Sequence, residues 1–183
     1  MDEFIINDEE KQILLTTARE SIAGRLKKRG GVFPAPTKNL KTRCGAFVTL
    51  HKQGNLRGCI GQMTGRMPLI DTIKEMAVSS AFNDPRFPSL GEEEFEQIDI
   101  EISVLTPLQK IKDISLIQVG KHGIFIQKGG SSGVLLPQVA TEQGWDRDTF
   151  LTHTCYKAGL TGSCWKDASA EISIFSAIIF GEK

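Results

Sequence analysis

The chain has 183 residues, 22 basic and 22 acidic side chains that cancel, 40% hydrophobic residues and 24% charged ones. This is the mixture of a globular chain able to bury a core, and it excludes a disordered or collagen-like protein and a large multidomain assembly. The longest apolar stretches, such as Ile174 to Phe180, are far too short to cross a bilayer, and the opening Met1-Asp2-Glu3 has no signal-peptide character, so no membrane contact and a cytoplasmic location are expected.

Asn7 followed by Glu10 has the spacing of a capping box, and Leu14, Ala18, Ile22 and Leu26 recur on one helical face. An amphipathic helix is therefore predicted, ending at Gly30-Gly31, with Phe33-Pro34-Ala35-Pro36 extended after it. Alternation from Cys44 to His51, turn chemistry at Gln53-Gly54-Asn55 and the run Leu56 to Gly61 predict a hairpin. Met67-Pro68 opens a helix that carries Leu69, Ile73, Met76 and Ala77 inward and stops before Asn83-Asp84-Pro85. Ile98, Ile100, Ile102 and Val104 then alternate with Asp99, Glu101 and Ser103, the pattern of a strand with one buried face, from which Glu101 points away.

Ile124 to Gln127 and Val134 to Leu136 read as two strands joined by the loop Gly129 to Gly133. That loop joins strands and opens no helix, so it is read as a hairpin turn and not as a phosphate cradle. A short helix is predicted from Gln138 to about Gln143, and a second, capped by Asp146 and carrying Phe150, Leu151 and Cys155, ends at Gly159. Ile172 to Phe180 is rich in β-branched and aromatic residues and reads as one buried strand. Hairpins and separate helices without βαβ alternation define an α+β fold with mostly antiparallel sheets flanked by helices.

Cys44, Cys59, Cys155 and Cys164 form no Cys-x-x-Cys pair, and in a chain without a signal peptide they are expected as reduced thiols. His51, His122 and His153 have no zinc spacing, so neither a metal nor a cofactor is expected. The charges are unevenly ordered: between Glu20 and Asp71 lie ten basic residues and no acid. Clustered charge of this kind attracts phosphate, carboxylate or nucleic acid, unless folding intersperses it with acids from elsewhere.

The segment Leu56-Arg57-Gly58-Cys59-Ile60-Gly61 sets a thiol between two glycines with an arginine two residues before it. On a regular strand Arg57 and Cys59 share a face, which lets the guanidinium stabilise a thiolate or hold an anion, while Gly58 and Gly61 admit a ligand to the backbone. The plain alternative is a buried structural cysteine. This hexapeptide resembles the signature of the AMMECR domain family. Further blocks resemble that family in order: Gly45 to Leu50, Asp84-Pro85-Arg86-Phe87-Pro88, Ile100 to Pro107, Gly120-Lys121-His122-Gly123, Leu135 to Ala140, Gly144-Trp145-Asp146 and Cys155 to Leu160. Ser163-Cys164-Trp165 departs from the family's usual Asp-Ala-Trp.

The resemblance implies one domain over residues 1–183, built of two unequal lobes with a cleft between them, the N- and C-terminal segments sharing the larger lobe. It also implies a pathway shared with Memo-type and radical-SAM proteins, and supplies no reaction. Catalytic roles are assigned to Cys59, to His122 as a loop imidazole and to Glu101, which would orient His122 or pair with Arg57. Arg57, Gly58, Gly61, Asp84 and Arg86 are taken as substrate-binding, Asp84 and Arg86 as a rigid turn that clamps a ligand. Three classes stay open: a cysteine-dependent enzyme or ligand-binding component acting on a small anionic molecule, a nucleic-acid or phosphate binder, and an interaction module. The first leads, since a neutral chain with only Phe33 and Phe47 in its basic interval offers little for base stacking.

Overall fold

The structure, a computed structural model, describes residues 4–183. It divides into two compact units, one running to Leu105 and resuming at Ile178–Lys183, the other Thr106–Ala177. The fold is α+β with antiparallel pairing throughout the registered strands.

In the first unit α1 (Asp8–Leu26) starts on the full capping box: Asn7 accepts from the Glu10 N–H and the Glu10 carboxylate accepts from the Asn7 N–H. Leu14, Ala18 and Ile22 are completely buried, the stripe that their spacing promised. Truncating such a leucine to alanine costs about 2–5 kcal/mol. The helix stops at Leu26, short of Gly30, where Lys28 already has a positive φ of 48°. Strands β1 (Ala46–Lys52) and β2 (Asn55–Gln62) form the hairpin; α2 (Leu69–Phe82), α3 (Glu92–Phe95) and β3 (Ile98–Leu105) follow. The chain's last strand, β8 (Ala177–Gly181), completes a sheet of order β2-β1-β3-β8. Val48, Leu50, Ile100 and Ile102 turn to one face and pack with the buried stripes of α1 and α2. The opposite face carries Thr49, His51, Cys59, Asp99 and Glu101, all partly exposed.

In the second unit β4 (Gln109–Ile111), β5 (Gly123–Lys128), β6 (Ser131–Leu135) and β7 (Glu171–Phe175) form a sheet of order β4-β7-β5-β6, with α4 (Pro137–Glu142) and α5 (Arg147–Lys157) between β6 and β7 in sequence. Asp146 caps α5 by accepting from the Thr149 N–H. Ile117, Ile124, Ile126, Phe150 and Leu151 fill the core, and Trp145 and Trp165 pack against it.

Three expectations are corrected. The run Ile172 to Phe180 is not one strand: it breaks at Ser176 and serves two sheets, β7 in one and β8 in the other. The break is fixed by a reciprocal pair, Thr106 N–H to the Ser176 carbonyl and Ser176 N–H to the Thr106 hydroxyl, both 2.8 Å. The loop from Gly129 to Gly133 contracts to a turn at Gly129-Gly130, because Ser131 to Gly133 pair with β5. The four cysteines are not all thiols either. Cys155 and Cys164 are joined in a disulfide, their Cα atoms 5.8 Å apart, since the end of α5 and the turn at Cys164–Lys166 bring them together inside the core. Cys164, in the segment Ser163-Cys164-Trp165, supplies one half of that bridge. Finally, α3 and β4, too short to show periodicity, were not foreseen.

Candidate functional site

Register builds the site on the outer face of the first sheet. Thr49 in β1 stands opposite Cys59 in β2 on one side and opposite Glu101 in β3 on the other. Cys59, Thr49 and Glu101 therefore form one row across three strands, and Glu101 lies two strand spacings, about 10 Å, from Cys59. The Thr49 hydroxyl hydrogen-bonds the Cys59 sulfur at 3.3 Å.

β2 is an edge strand, and its free edge is taken up by the turn that follows α2. The Cys59 N–H donates to Asp84 Oδ2 at 2.9 Å, and Arg86 Nη2 donates to the Cys59 carbonyl at 3.3 Å. With both peptide groups turned outward, Thr49 and Cys59 form a non-hydrogen-bonded pair, the kind in which facing side chains come closest. Asp84 is buried and collects three donors from Arg86: its backbone N–H at 3.1 Å, Nε at 3.0 Å and Nη2 at 2.8 Å. The Arg86 guanidinium holds the Asp84 carboxyl well below the usual carboxylate range, burial opposes this, and the Cys59 and Arg86 N–H groups add to it. In return Asp84 raises the Arg86 guanidinium, which stays 54% exposed. Asp84, Arg86 and Cys59 are thus brought together.

Arg57 is not part of that group. The register slips between Leu50 and His51, leaving Arg57 unpaired in a β-bulge that ends its alternation with Cys59. Its guanidinium makes a two-point contact with Glu94, Nε to Oε1 at 2.8 Å and Nη2 to Oε2 at 2.9 Å, and also donates to the Pro88 carbonyl at 2.8 Å. The expected pairing with Glu101 is corrected accordingly: Glu94, from the unforeseen α3, takes the arginine, and Lys52 shares the same carboxylate at 3.2 Å.

Gly58 and Gly61 also serve the fold. A Cβ on Gly58 would run into the Ser80 carbonyl of α2, and one on Gly61 into the Phe47 ring and the Ala46 carbonyl. The close approach expected for a ligand is made by the protein itself. His122 belongs to the second unit, where its Nδ1 accepts from the Gln118 N–H at 3.2 Å and its own N–H donates to the Gln118 carbonyl at 2.9 Å. Partial burial, then the neighbouring Lys121, lowers its pKa, favouring the neutral ring. It closes its own turn, and the Glu101 side chain makes no hydrogen bond or ion pair among the described residues.

Of the two free cysteines among the described residues, Cys44 is buried, and burial pushes its thiol up to about 11; Cys59 is partly exposed. In the basic interval Arg29 pairs with Glu20, and Lys52 and Arg57 with Glu94, so folding intersperses some of that charge. Sequence reasoning missed Thr49, His51 and Glu94. Thr49 and His51 were visible as the outward residues of β1 but needed the register; Glu94 is one of three successive glutamates with nothing to single it out. Among the described residues no group of three His, Cys, Asp or Glu side chains is placed to hold a metal ion, and no helix is long and apolar enough to cross a membrane.

Fold and site together define an α+β protein with a half-exposed thiol on a sheet face, edged by an arginine-carboxylate turn. The chain belongs to the AMMECR1 family, whose match extends over residues 15–180. It is 49% identical over 148 residues to a Methanothermobacter thermautotrophicus protein, covering 78% of this chain and 77% of the relative. Protein MK0488 of Methanopyrus kandleri is 41% identical over 185 residues, covering 96% and 89%. The crystal structure of the uncharacterized protein PH0010 from Pyrococcus horikoshii superposes with a TM-score of 0.79 at 40% identity, covering 97% of this chain and 94% of that one.

Proposed function

We propose that this AMMECR1-family protein is a cytoplasmic enzyme or ligand-binding component that holds a small anionic molecule at Arg86, against the thiol of Cys59. The observation that carries this reading is the Asp84–Arg86–Cys59 arrangement. A buried carboxylate fixes one edge of the guanidinium, leaving the rest of an exposed cation beside a half-exposed sulfur. Arginine held in this way offers its remaining N–H groups to a carboxylate or phosphate in a fixed orientation. The Thr49 hydroxyl, 3.3 Å from the sulfur, is placed to donate to a thiolate. Cys59 is then the nucleophile and Arg86 the anion-binding group. Asp84 and Thr49 position them, and Arg57 acts one step removed by holding the Pro88 carbonyl and with it the turn that carries Arg86. The pathway shared with Memo-type and radical-SAM proteins belongs to the same proposal, as the setting that supplies the molecule.

The test compares alkylation of Cys59 by iodoacetate and by iodoacetamide, followed by mass spectrometry. Recruitment of the anion by Arg86 makes the iodoacetate-to-iodoacetamide rate ratio at Cys59 several-fold higher than that of glutathione under the same conditions, and Arg86→Gln removes the excess. A ratio equal to that of glutathione, unmoved by Arg86→Gln, overturns the reading.

A further inference from the structure

On the same outer face, beginning at His51, two residues beyond Thr49, lies a groove of about 480 Å³ walled by His51, Gln53, Asp99, Glu101, Glu182 and Lys183, among others. Its volume falls within the range of small-molecule sites. Cys59 is not among its walls; Thr49 stands between the two, and Glu101 belongs to both the groove and the Cys59 row. Three carboxylates face this space, and two of them are already spent. Asp99 pairs with Lys183 at 2.7 Å, while Glu182 pairs with Arg19 and accepts from the Ile100 N–H at 2.8 Å. Glu101 has no cation and no hydrogen-bond donor among the described residues, although it is partly withdrawn from water. A half-buried carboxylate without a partner is a site for a cation. Asp99 and Glu182 already have cations, and among the described residues no three His, Cys, Asp or Glu side chains are placed to hold a metal ion, so the fitting cation is an ammonium.

The row thus carries, at its β2 edge, an exposed guanidinium with N–H groups left over from Asp84 and the Cys59 carbonyl, and an unpartnered negative group on β3, with the thiol between them. We infer that the ligand is zwitterionic: its anionic end lies at Arg86, its chain crosses Cys59 and Thr49, and its ammonium enters the groove at Glu101. This rests on the proposed anion site at Arg86 and names the class of molecule that site takes. A span of at least two strand spacings, on the order of 10 Å, separates the two charges.

The experiment measures how far unreactive competitors slow labelling of Cys59 by iodoacetate in the full chain. The probes are two matched pairs: butyrate with γ-aminobutyrate, and caprylate with ω-aminocaprylate. The terminal ammonium of the long probe reaches Glu101, so ω-aminocaprylate protects about threefold better than caprylate, the scale of one exposed ion pair. The short pair shows no such difference. Glu101→Gln makes the two long probes equivalent. If the wild-type chain prefers iodoacetate but is protected equally by caprylate and ω-aminocaprylate, the anion site stands and the zwitterion is overturned. If it shows no preference for iodoacetate, the anion site itself fails and the inference falls with it.

Discussion

Two arginine–carboxylate pairs flank β2, and they are built inversely. In Arg57–Glu94 the arginine side chain is 8% exposed and the carboxylate 24% exposed; in Asp84–Arg86 the carboxylate side chain is 2% exposed and the arginine 54% exposed. Which partner is buried decides what the pair does. A buried arginine held at Nε and Nη2 is spent on the fold, whereas a buried carboxylate that fixes an exposed arginine leaves a positive group facing outward in a set direction. The sequence makes the two arginines look alike, and the nearer one to Cys59 in the chain is the one not available to a ligand.

The comparison breaks most visibly at Glu94. Removing its charge strands the buried Arg57, so Glu94→Gln is expected to cost about 3–5 kcal/mol in chemical denaturation. Arg57→Met combined with it costs less than the sum of the two single changes. If Glu94→Gln leaves stability unchanged, the pair is not the anchor described. Asp84→Asn comes next, at about 1–3 kcal/mol, because one of the two acceptor oxygens becomes an NH2 group that faces donors from Cys59 or Arg86, and the charge is lost. Here pH sharpens the contrast. Since the fold depresses the Asp84 carboxyl, its stabilisation is complete above the unfolded value of about 3.9 and is lost as pH falls below that, through the folded value. Unfolding curves recorded downward from neutral pH should therefore show the difference between wild type and Asp84→Asn shrinking only in acid; a difference that is constant with pH would mean that the charge plays no part. The smallest effect belongs to Glu101→Gln, expected within about 0.5 kcal/mol of wild type, because this carboxylate supports no partner. A loss comparable to that of Glu94→Gln would place Glu101 in the fold's own ion-pair network.

Local chemistry was legible in the sequence and long-range partnership was not. The capping box at Asn7–Glu10, the buried face of Ile98 to Val104 and the cap at Asp146 depend on residues within a few positions of one another, and each formed as the pattern required. Cys59, Asp84 and Arg86 were singled out from motifs, and their meeting at the β2 edge follows from where α2 ends. What failed depended on pairing across the chain. One extra residue in β2 turned Arg57 away from Cys59, and α3 is too short to show any period. The apolar run from Ile172 to Phe180 gives no hint that Ser176 divides it between sheets. The disulfide eluded a rule about compartments because what decided it was proximity, nine residues apart, within one core.

The crossing at Thr106 and Ser176 bears on the order in which the chain assembles. β8 must return across the whole of the second unit to reach β3, and closing a flexible loop of that length costs about 4 kcal/mol in chain entropy. Once the second unit has folded, however, the two hydrogen bonds between Thr106 and Ser176 hold its entrance and exit together, so the loop is already closed when β8 pairs. The first sheet can gain three of its strands early, but its fourth waits for a separate folding event downstream. During synthesis, β3 therefore keeps an unpaired edge until Ala177–Gly181 has emerged.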